Sequence, residues 1–113
     1  MARRVLILGY GNPSRGDDGL GLRLAEKLDE DRPPGVDVEV DFQLNIEDAA
    51  TAAEYDAVIF VDAAASGGEP FEVRRLEPAD EITFSSHIVS AETILAICQD
   101  SFSRTPEAYL LAV

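Results

Sequence analysis

The chain has very little cysteine, histidine and positive charge. Its 113 residues include one cysteine, one histidine and no tryptophan. A single cysteine, Cys98, rules out an intramolecular disulfide and therefore a secreted, disulfide-stapled scaffold. No apolar run approaches the ~20 residues of a membrane span or the roughly 7–15 residues of a signal-peptide core. We therefore expect a cytoplasmic protein with no membrane partner.

Acidic residues outnumber basic residues by a wide margin. The chain holds 22 aspartates and glutamates against 9 lysines and arginines, a formal net charge of −13 at pH 7. This surplus repels phosphate backbones and anionic lipid, so we expect no nucleic-acid partner. The hydrophobic fraction of 46% is ordinary for a globular chain. The length predicts a single domain over residues 1–113.

Apolar segments with strand and helix periodicity alternate along the chain. The predicted strands cover residues 4–9, 36–41, 57–62, 71–76 and 109–113, and the predicted helices cover residues 20–28, 46–54 and 88–98. The first strand is expected to be central, the second to lie at an edge, and Asn45 to cap the second helix. This order predicts an α/β fold with a three-layer architecture, in which a mainly parallel twisted sheet lies between helices. Ligands are expected beyond the carboxyl ends of the strands.

Gly9 and Gly11 follow the first strand and partly match a dinucleotide-binding fingerprint, with Asp41 positioned to contact a ribose. Asp17 and Asp18, however, bring negative charge to the start of the next helix, where a pyrophosphate would have to bind. A small nucleotide-binding α/β module that uses Gly9 and Gly11 is therefore one alternative. A tight turn with no ligand is another.

Three residues with metal-ligating side chains lie at predicted loop or strand ends. Asp18 ends the first loop, Asp62 ends a buried strand, and His87 opens a later helix. Such positions converge at one edge of a parallel sheet. Two carboxylates and one imidazole suit nickel, zinc or manganese. Each residue also has an ordinary structural role open to it, since acids compensate helix dipoles and polar side chains cap turns.

Other nucleophiles have weaker support in the sequence. Ser85 and Ser86 precede His87 but lack the G-x-S-x-G pattern of a serine hydrolase. Cys98 lies on the apolar face of its predicted helix, which favours a small buried hydrophobe over a nucleophile.

Four segments together resemble the hydrogenase maturation endopeptidases. They are Val5-Leu6-Ile7-Leu8-Gly9-Tyr10-Gly11-Asn12, Asp17-Asp18-Gly19 with Gly21, Val61-Asp62-Ala63 and Ser86-His87. The resemblance spans essentially the whole chain. It implies a hydrolase, a cytoplasmic protease that removes a C-terminal extension from the precursor of a nickel-iron hydrogenase large subunit after nickel insertion.

The same resemblance implies roles for individual residues. Asp18, Asp62 and His87 are expected to contact nickel and to carry catalysis, with Asp17 outside the direct contacts. The nickel is expected to be supplied by the substrate, and other divalent metals to substitute for it. A non-catalytic metal-binding maturation factor, which grips the precursor without cutting it, is a further alternative.

Two departures from the family pattern are visible. Many relatives carry a glycine-rich stretch after the second strand, whereas this chain has Asp41-Phe42-Gln43-Leu44-Asn45, which indicates a subgroup serving a different hydrogenase. The family also continues past the strand at Tyr109. We therefore expect a shortened fold that lacks the C-terminal strand and helix.

Overall fold

The computed structural model describes residues 3–10, 30, 33–41, 43–62, 72–82 and 89–112. The strands over these residues are β1 (Val5–Tyr10), β2 (Val36–Asp41), β3 (Ala57–Asp62), β4 (Glu72–Leu76) and β5 (Glu107–Ala112). The helices are α1 (Glu47–Ala52) and α2 (Ala91–Phe102). Within these ranges, no helix is long and apolar enough to cross a membrane.

The five strands form one sheet in the order β2-β1-β3-β5-β4. The pairs β1–β2, β1–β3 and β3–β5 are parallel, and only β4 runs antiparallel, against β5. The predicted mainly parallel α/β fold and the edge position of β2 are therefore confirmed. The central strand is β3, whereas the sequence predicted β1. An apolar run shows that a strand is covered on both faces, but the connections between strands decide which one is central.

The two helices pack against one face of the sheet. Strand residues that alternate along β1, β3 and β5 supply the sheet side of this core, and α1 and α2 supply the other side. Its most deeply buried large side chains include Leu6, Phe60, Ile94 and Leu95. The helix predicted over residues 20–28 falls outside the described ranges.

Both ends of α2 have defined caps. The Ser90 hydroxyl accepts a hydrogen bond from the backbone N–H of Thr93 at 3.1 Å, which satisfies a free N–H of the first turn. At the other end, Ser103 adopts a left-handed conformation with φ 54°, and its N–H donates to the Cys98 carbonyl. Because Ser90 is the N-cap, His87 precedes the helix in the chain, whereas the sequence predicted that it opens the helix.

Asn45 does not cap α1 as predicted. The N-cap is Ile46, which makes no side-chain capping bond. Instead, the Asp48 carboxylate reaches back and accepts the backbone N–H of Asn45 at 2.9 Å, as in the reciprocal half of a capping box. The Asn45 side chain donates to Asp41 Oδ2 at 3.5 Å. The backbone carbonyl of Asn45, and not its side chain, accepts an N–H of the first turn, that of Asp48 at 2.9 Å.

Asp56 joins the amino ends of three strands. Its carboxylate accepts the backbone N–H of Arg4 at 2.8 Å and the guanidinium of Arg104 at 2.6 Å. Its own N–H donates to the Arg4 carbonyl at 2.9 Å, and its carbonyl accepts the N–H of Glu107 at 3.0 Å. These bonds hold β1, β3 and β5 in phase, so that Val5, Ala57 and Glu107 share one register position.

Gly35 precedes β2 with φ +85°, and a Cβ added there would lie 2.9 Å from the Arg3 carbonyl oxygen. We expect Gly35→Ala to lower the free energy of unfolding by about 1–2 kcal/mol or more, because a left-handed conformation costs that much for a residue with a Cβ. Ser103→Gly is the matched control and should raise stability slightly, because it relieves a left-handed residue that is not glycine. Urea denaturation measures both changes, and an unaltered midpoint for Gly35→Ala would contradict the first expectation.

Cys98 is fully buried in α2, as the sequence predicted. Its thiol donates to the Ala49 carbonyl of α1 at 3.3 Å, and burial raises the pKa of Cys98 to about 11. We expect the thiol to resist alkylation in the folded protein and to react at the rate of a free cysteine in denaturant, since the thiolate is the reactive form. Mass spectrometry after iodoacetamide treatment measures this. Rapid labelling of the native chain would contradict it.

Tyr55 donates a hydrogen bond to Asp37 Oδ2 at 2.5 Å. This bond, together with desolvation and the Asp37 charge, raises the pKa of Tyr55 from 10.0 to about 12. Because the pKa is higher in the folded state, the stability from this contact is complete below about pH 10 and is lost as the pH rises toward 12. Tyr55→Phe should therefore reduce the alkaline fall in stability, measured by denaturant titration between these pH values. An identical alkaline fall in both proteins would disagree with this assignment.

Candidate functional site

A row of polar residues lies at the carboxyl ends of the first three strands of the sheet. The register pairs Tyr10 at the end of β1 with Asp41 at the end of β2 and with Asp62 at the end of β3. Residues at one register position share a face of the sheet, and neighbouring strands lie about 4.8 Å apart. Tyr10 packs against the core that contains both helices. The side chains of this row therefore lie on the same face of the sheet as α1 and α2.

Tyr10 and Asp62 form the best-defined contact of this row. The register sets Asp62 directly opposite Tyr10, hydrogen bonding to the Asp62 carboxylate is one cause of the raised pKa of Tyr10, and both residues are half-buried. Burial raises the pKa of Tyr10 well above its usual range, and the charge of Asp62 and the bond to it raise this pKa further. Each effect penalises a phenolate. The phenol is therefore a neutral donor and Asp62 the acceptor.

The start of α2 lies beside this pair. Glu92, in the first turn of α2, is half-buried, and its negative charge also raises the pKa of Tyr10. Arg74 of β4 is exposed, and its positive charge acts in the opposite direction. Elements that are distant in the chain thus bring charged side chains to the carboxyl edge near Tyr10.

A second group of acids lies between β2 and α1. Desolvation raises the pKa of Glu39, and the charges of Asp48, Asp37 and Asp41 raise it further. Desolvation also raises the pKa of Asp48, against the opposing effect of the Asn45 N–H. This part of the surface favours a cation and repels phosphate.

The structure locates one of the three predicted site residues. Asp62 ends β3 at the carboxyl edge of the sheet, as predicted. Asp18 and His87 lie outside the described residues, as do Asp17 and Gly11, so their convergence with Asp62 remains a prediction. Among the residues that are described, no group of three histidine, cysteine, aspartate or glutamate side chains is arranged to hold a metal ion.

The sequence did not identify Tyr10 or Glu92 as members of this site. The first strand was predicted to close at Gly9, but β1 continues to Tyr10 and equals β3 in length. Pairing the two predicted strands from their first residues sets Arg4 opposite Ala57 and Gly9 opposite Asp62, one residue short of the observed pairing of Tyr10 with Asp62. No comparable signal identifies Glu92, because its position depends on how α2 packs on the sheet.

The comparisons with known proteins gave matches among solved structures alone. No protein-family model matches the chain, and no curated protein matches it either. The hydrogenase maturating endopeptidase HybD from E. coli superposes with a TM-score of 0.71 at 24% identity, covering 97% of this chain and 73% of HybD.

Two archaeal structures are similar at slightly higher identity. The [NiFe] hydrogenase maturation protease HycI from Thermococcus kodakarensis has a TM-score of 0.67 at 27% identity, with 97% of this chain and 72% of HycI covered. A hydrogenase 2 maturation peptidase from a Thaumarchaeota archaeon has a TM-score of 0.62 at 28% identity, with 97% and 78% covered. In its fold, the chain is similar to these hydrogenase maturation endopeptidases over nearly its whole length.

Proposed function

We propose that this protein is an endopeptidase that removes the C-terminal extension of a nickel-iron hydrogenase large-subunit precursor after nickel insertion. The observation that carries the proposal is the likeness of 97% of the chain to solved structures of hydrogenase maturation proteases. In the sequence, the segments that resemble this family cover β1 and the residues that follow it, the end of β3, and residues that precede α2. The proposed partner is the precursor protein, and the proposed compartment is the cytoplasm, in keeping with one free cysteine.

We propose that Asp18, Asp62 and His87 bind nickel that the precursor supplies. Asp62 is at the carboxyl edge, where ligands of open α/β sheets bind. Asp18 follows Tyr10 by eight positions in the chain, and His87 precedes Glu92 by five. Since Tyr10 is paired with Asp62 and the charge of Glu92 acts on Tyr10, short segments of the sequence lead from these residues to Asp18 and His87.

The chemistry of the donor set supports a borderline divalent ion. Two carboxylates and an imidazole fit nickel and also zinc or manganese, which is why other ions are expected to substitute. Ligands from three separate segments leave coordination positions open, so an ion already held by the precursor has room to join them. The acidic edge around Asp41 and Asp62 attracts that positive charge.

Hydrolysis of the peptide bond needs a polarised carbonyl and an activated water. When bound at this edge, nickel supplies the Lewis-acid polarisation of the scissile carbonyl. The contribution of the chain is to bind and orient the ion through its two carboxylates and imidazole. No observation favours the alternative of a nucleotide-binding module, and the carboxylates at the carboxyl edge oppose phosphate there.

Asp18→Asn, Asp62→Asn and His87→Gln test the proposal directly. We expect each to reduce processing of nickel-loaded precursor by more than about 100-fold, because even residues that only support metal ligands contribute about 10–100-fold. Asp100→Asn is the matched control, since Asp100 is exposed near the far end of α2. Mass spectrometry of the precursor measures cleavage.

Three results would contradict parts of this proposal. A precursor whose mass is unchanged by the wild-type chain would contradict the endopeptidase function. Binding of the precursor without cleavage would favour a non-catalytic maturation factor. Normal processing by any one of the three variants would show that the substituted residue is not a ligand.

A further inference from the structure

We propose that Tyr10 is a positioning residue that fixes the orientation of the Asp62 carboxylate toward the metal. This inference rests on the proposed function, because it takes Asp62 to be a metal ligand. It adds a residue that was not among the predicted site residues, and it assigns that residue a task distinct from binding the metal itself.

The backbone places the two residues together before any side chain is considered. Tyr10 and Asp62 are the last residues of β1 and β3, and they are paired in the parallel register. Every residue of β1 is also paired with β2 on the other side. The Cα of Tyr10 therefore has little freedom to shift relative to the Cα of Asp62.

The Tyr10 ring packs against the hydrophobic core. It packs against the cluster that contains Leu8 and Phe60, which occupy the preceding position on the same face of β1 and β3. A ring fixed in this way directs its hydroxyl toward a defined point. The register sets Asp62 opposite Tyr10 on this face, where its carboxylate is the hydrogen-bond acceptor for the hydroxyl.

Tyr10 has a second acidic residue at the same register position, Asp41, which lies on the neighbouring strand β2 on the opposite side from Asp62. Asp41 accepts a hydrogen bond from the side chain of Asn45 at 3.5 Å. The two carboxylates that flank Tyr10 are therefore supported by different donors, and the phenol hydrogen is directed to Asp62.

A phenol has one hydrogen to donate, and a carboxylate has two oxygens that accept. Donation to one oxygen of Asp62 restricts rotation of the carboxylate and leaves the other oxygen able to bind an ion. Bonds from a hydroxyl to a charged carboxylate are short and strong. Hydrogen bonds of this kind orient metal ligands, and their loss typically weakens metal binding by about 10–100-fold.

The chain provides a close control for this substitution. Tyr55 also donates its hydroxyl to a carboxylate, that of Asp37, at 2.5 Å. Asp37 lies near the amino end of β2, four residues before Asp41. Tyr55→Phe therefore removes the same atom and the same type of hydrogen bond, at a place remote from Asp62.

The test measures the affinity of the wild-type chain, Tyr10→Phe and Tyr55→Phe for Ni²⁺ alone by titration calorimetry. Cleavage of nickel-loaded precursor and urea midpoints are measured in parallel. We expect Tyr10→Phe to weaken Ni²⁺ binding about 10–100-fold and to slow cleavage. Tyr55→Phe should leave both within a factor of about two, although each variant loses one hydrogen bond of similar worth to folding.

Equal Ni²⁺ affinity in Tyr10→Phe and wild type would overturn the inference, and so would an equal loss in both tyrosine variants. If the wild-type chain binds no free Ni²⁺, the cleavage assay decides, because the proposed function has the precursor supply the ion: cleavage by Tyr10→Phe at the wild-type rate would then overturn the inference. If the affinities separate as expected but the wild-type chain leaves the precursor uncut, the proposed function fails and the role of Tyr10 stands.

Discussion

The in-phase pairing of the parallel strands is the constraint on which the described structure depends. Asp56 connects the first residues of β1, β3 and β5 through backbone and guanidinium bonds. Because side chains alternate with a period of two, this register decides which strand residues face the core. It also decides which residues are paired at the carboxyl ends of the strands. A shift of one residue would move Leu6 and Leu8 out of the helix-covered face and separate Tyr10 from Asp62.

Much of this architecture was predictable because it follows from local periodicity. The apolar runs predicted β1 and β3, the valine–acid alternation predicted the edge strand β2, and helical spacing predicted the buried side of α2 that contains Cys98. The position of Asp62 followed from the same reasoning. Each of these features depends on whether a segment is buried, and hydrophobic patterning reports this directly.

Other features depend on contacts that periodicity does not encode. Asn45 is a reasonable N-cap by residue type, but the N-cap is Ile46, and Asn45 instead donates its backbone N–H to the Asp48 carboxylate. The cap at Ser90 places His87 before α2 although the apolar pattern begins earlier. The Tyr10–Asp62 contact required the relative register of two strands, which neither strand contains by itself. The fold is similar to solved structures at only 24–28% identity. Such similarity is expected where hydrophobic patterning sets the fold, because a core tolerates many substitutions that keep its volume and pattern.

Acid changes the stability contributed by two groups of carboxylates in opposite directions. One group lies around β2 and the other at the amino ends of the strands. Around β2, the pKa values of Glu39 and Asp48 are raised by desolvation and neighbouring acids, so protonation favours the native chain and relieves crowding as the pH falls through these values. At the amino border, the pKa of Asp56 is lowered by the Arg4 N–H, and that of Glu107 by its bond from Arg3. Their contribution exists above the unfolded-state values and disappears as the pH drops through the lowered ones. Mild acidification therefore stabilises the native contacts around β2. Stronger acid weakens the hydrogen bonds of Asp56 and Glu107, which align the amino ends of the strands.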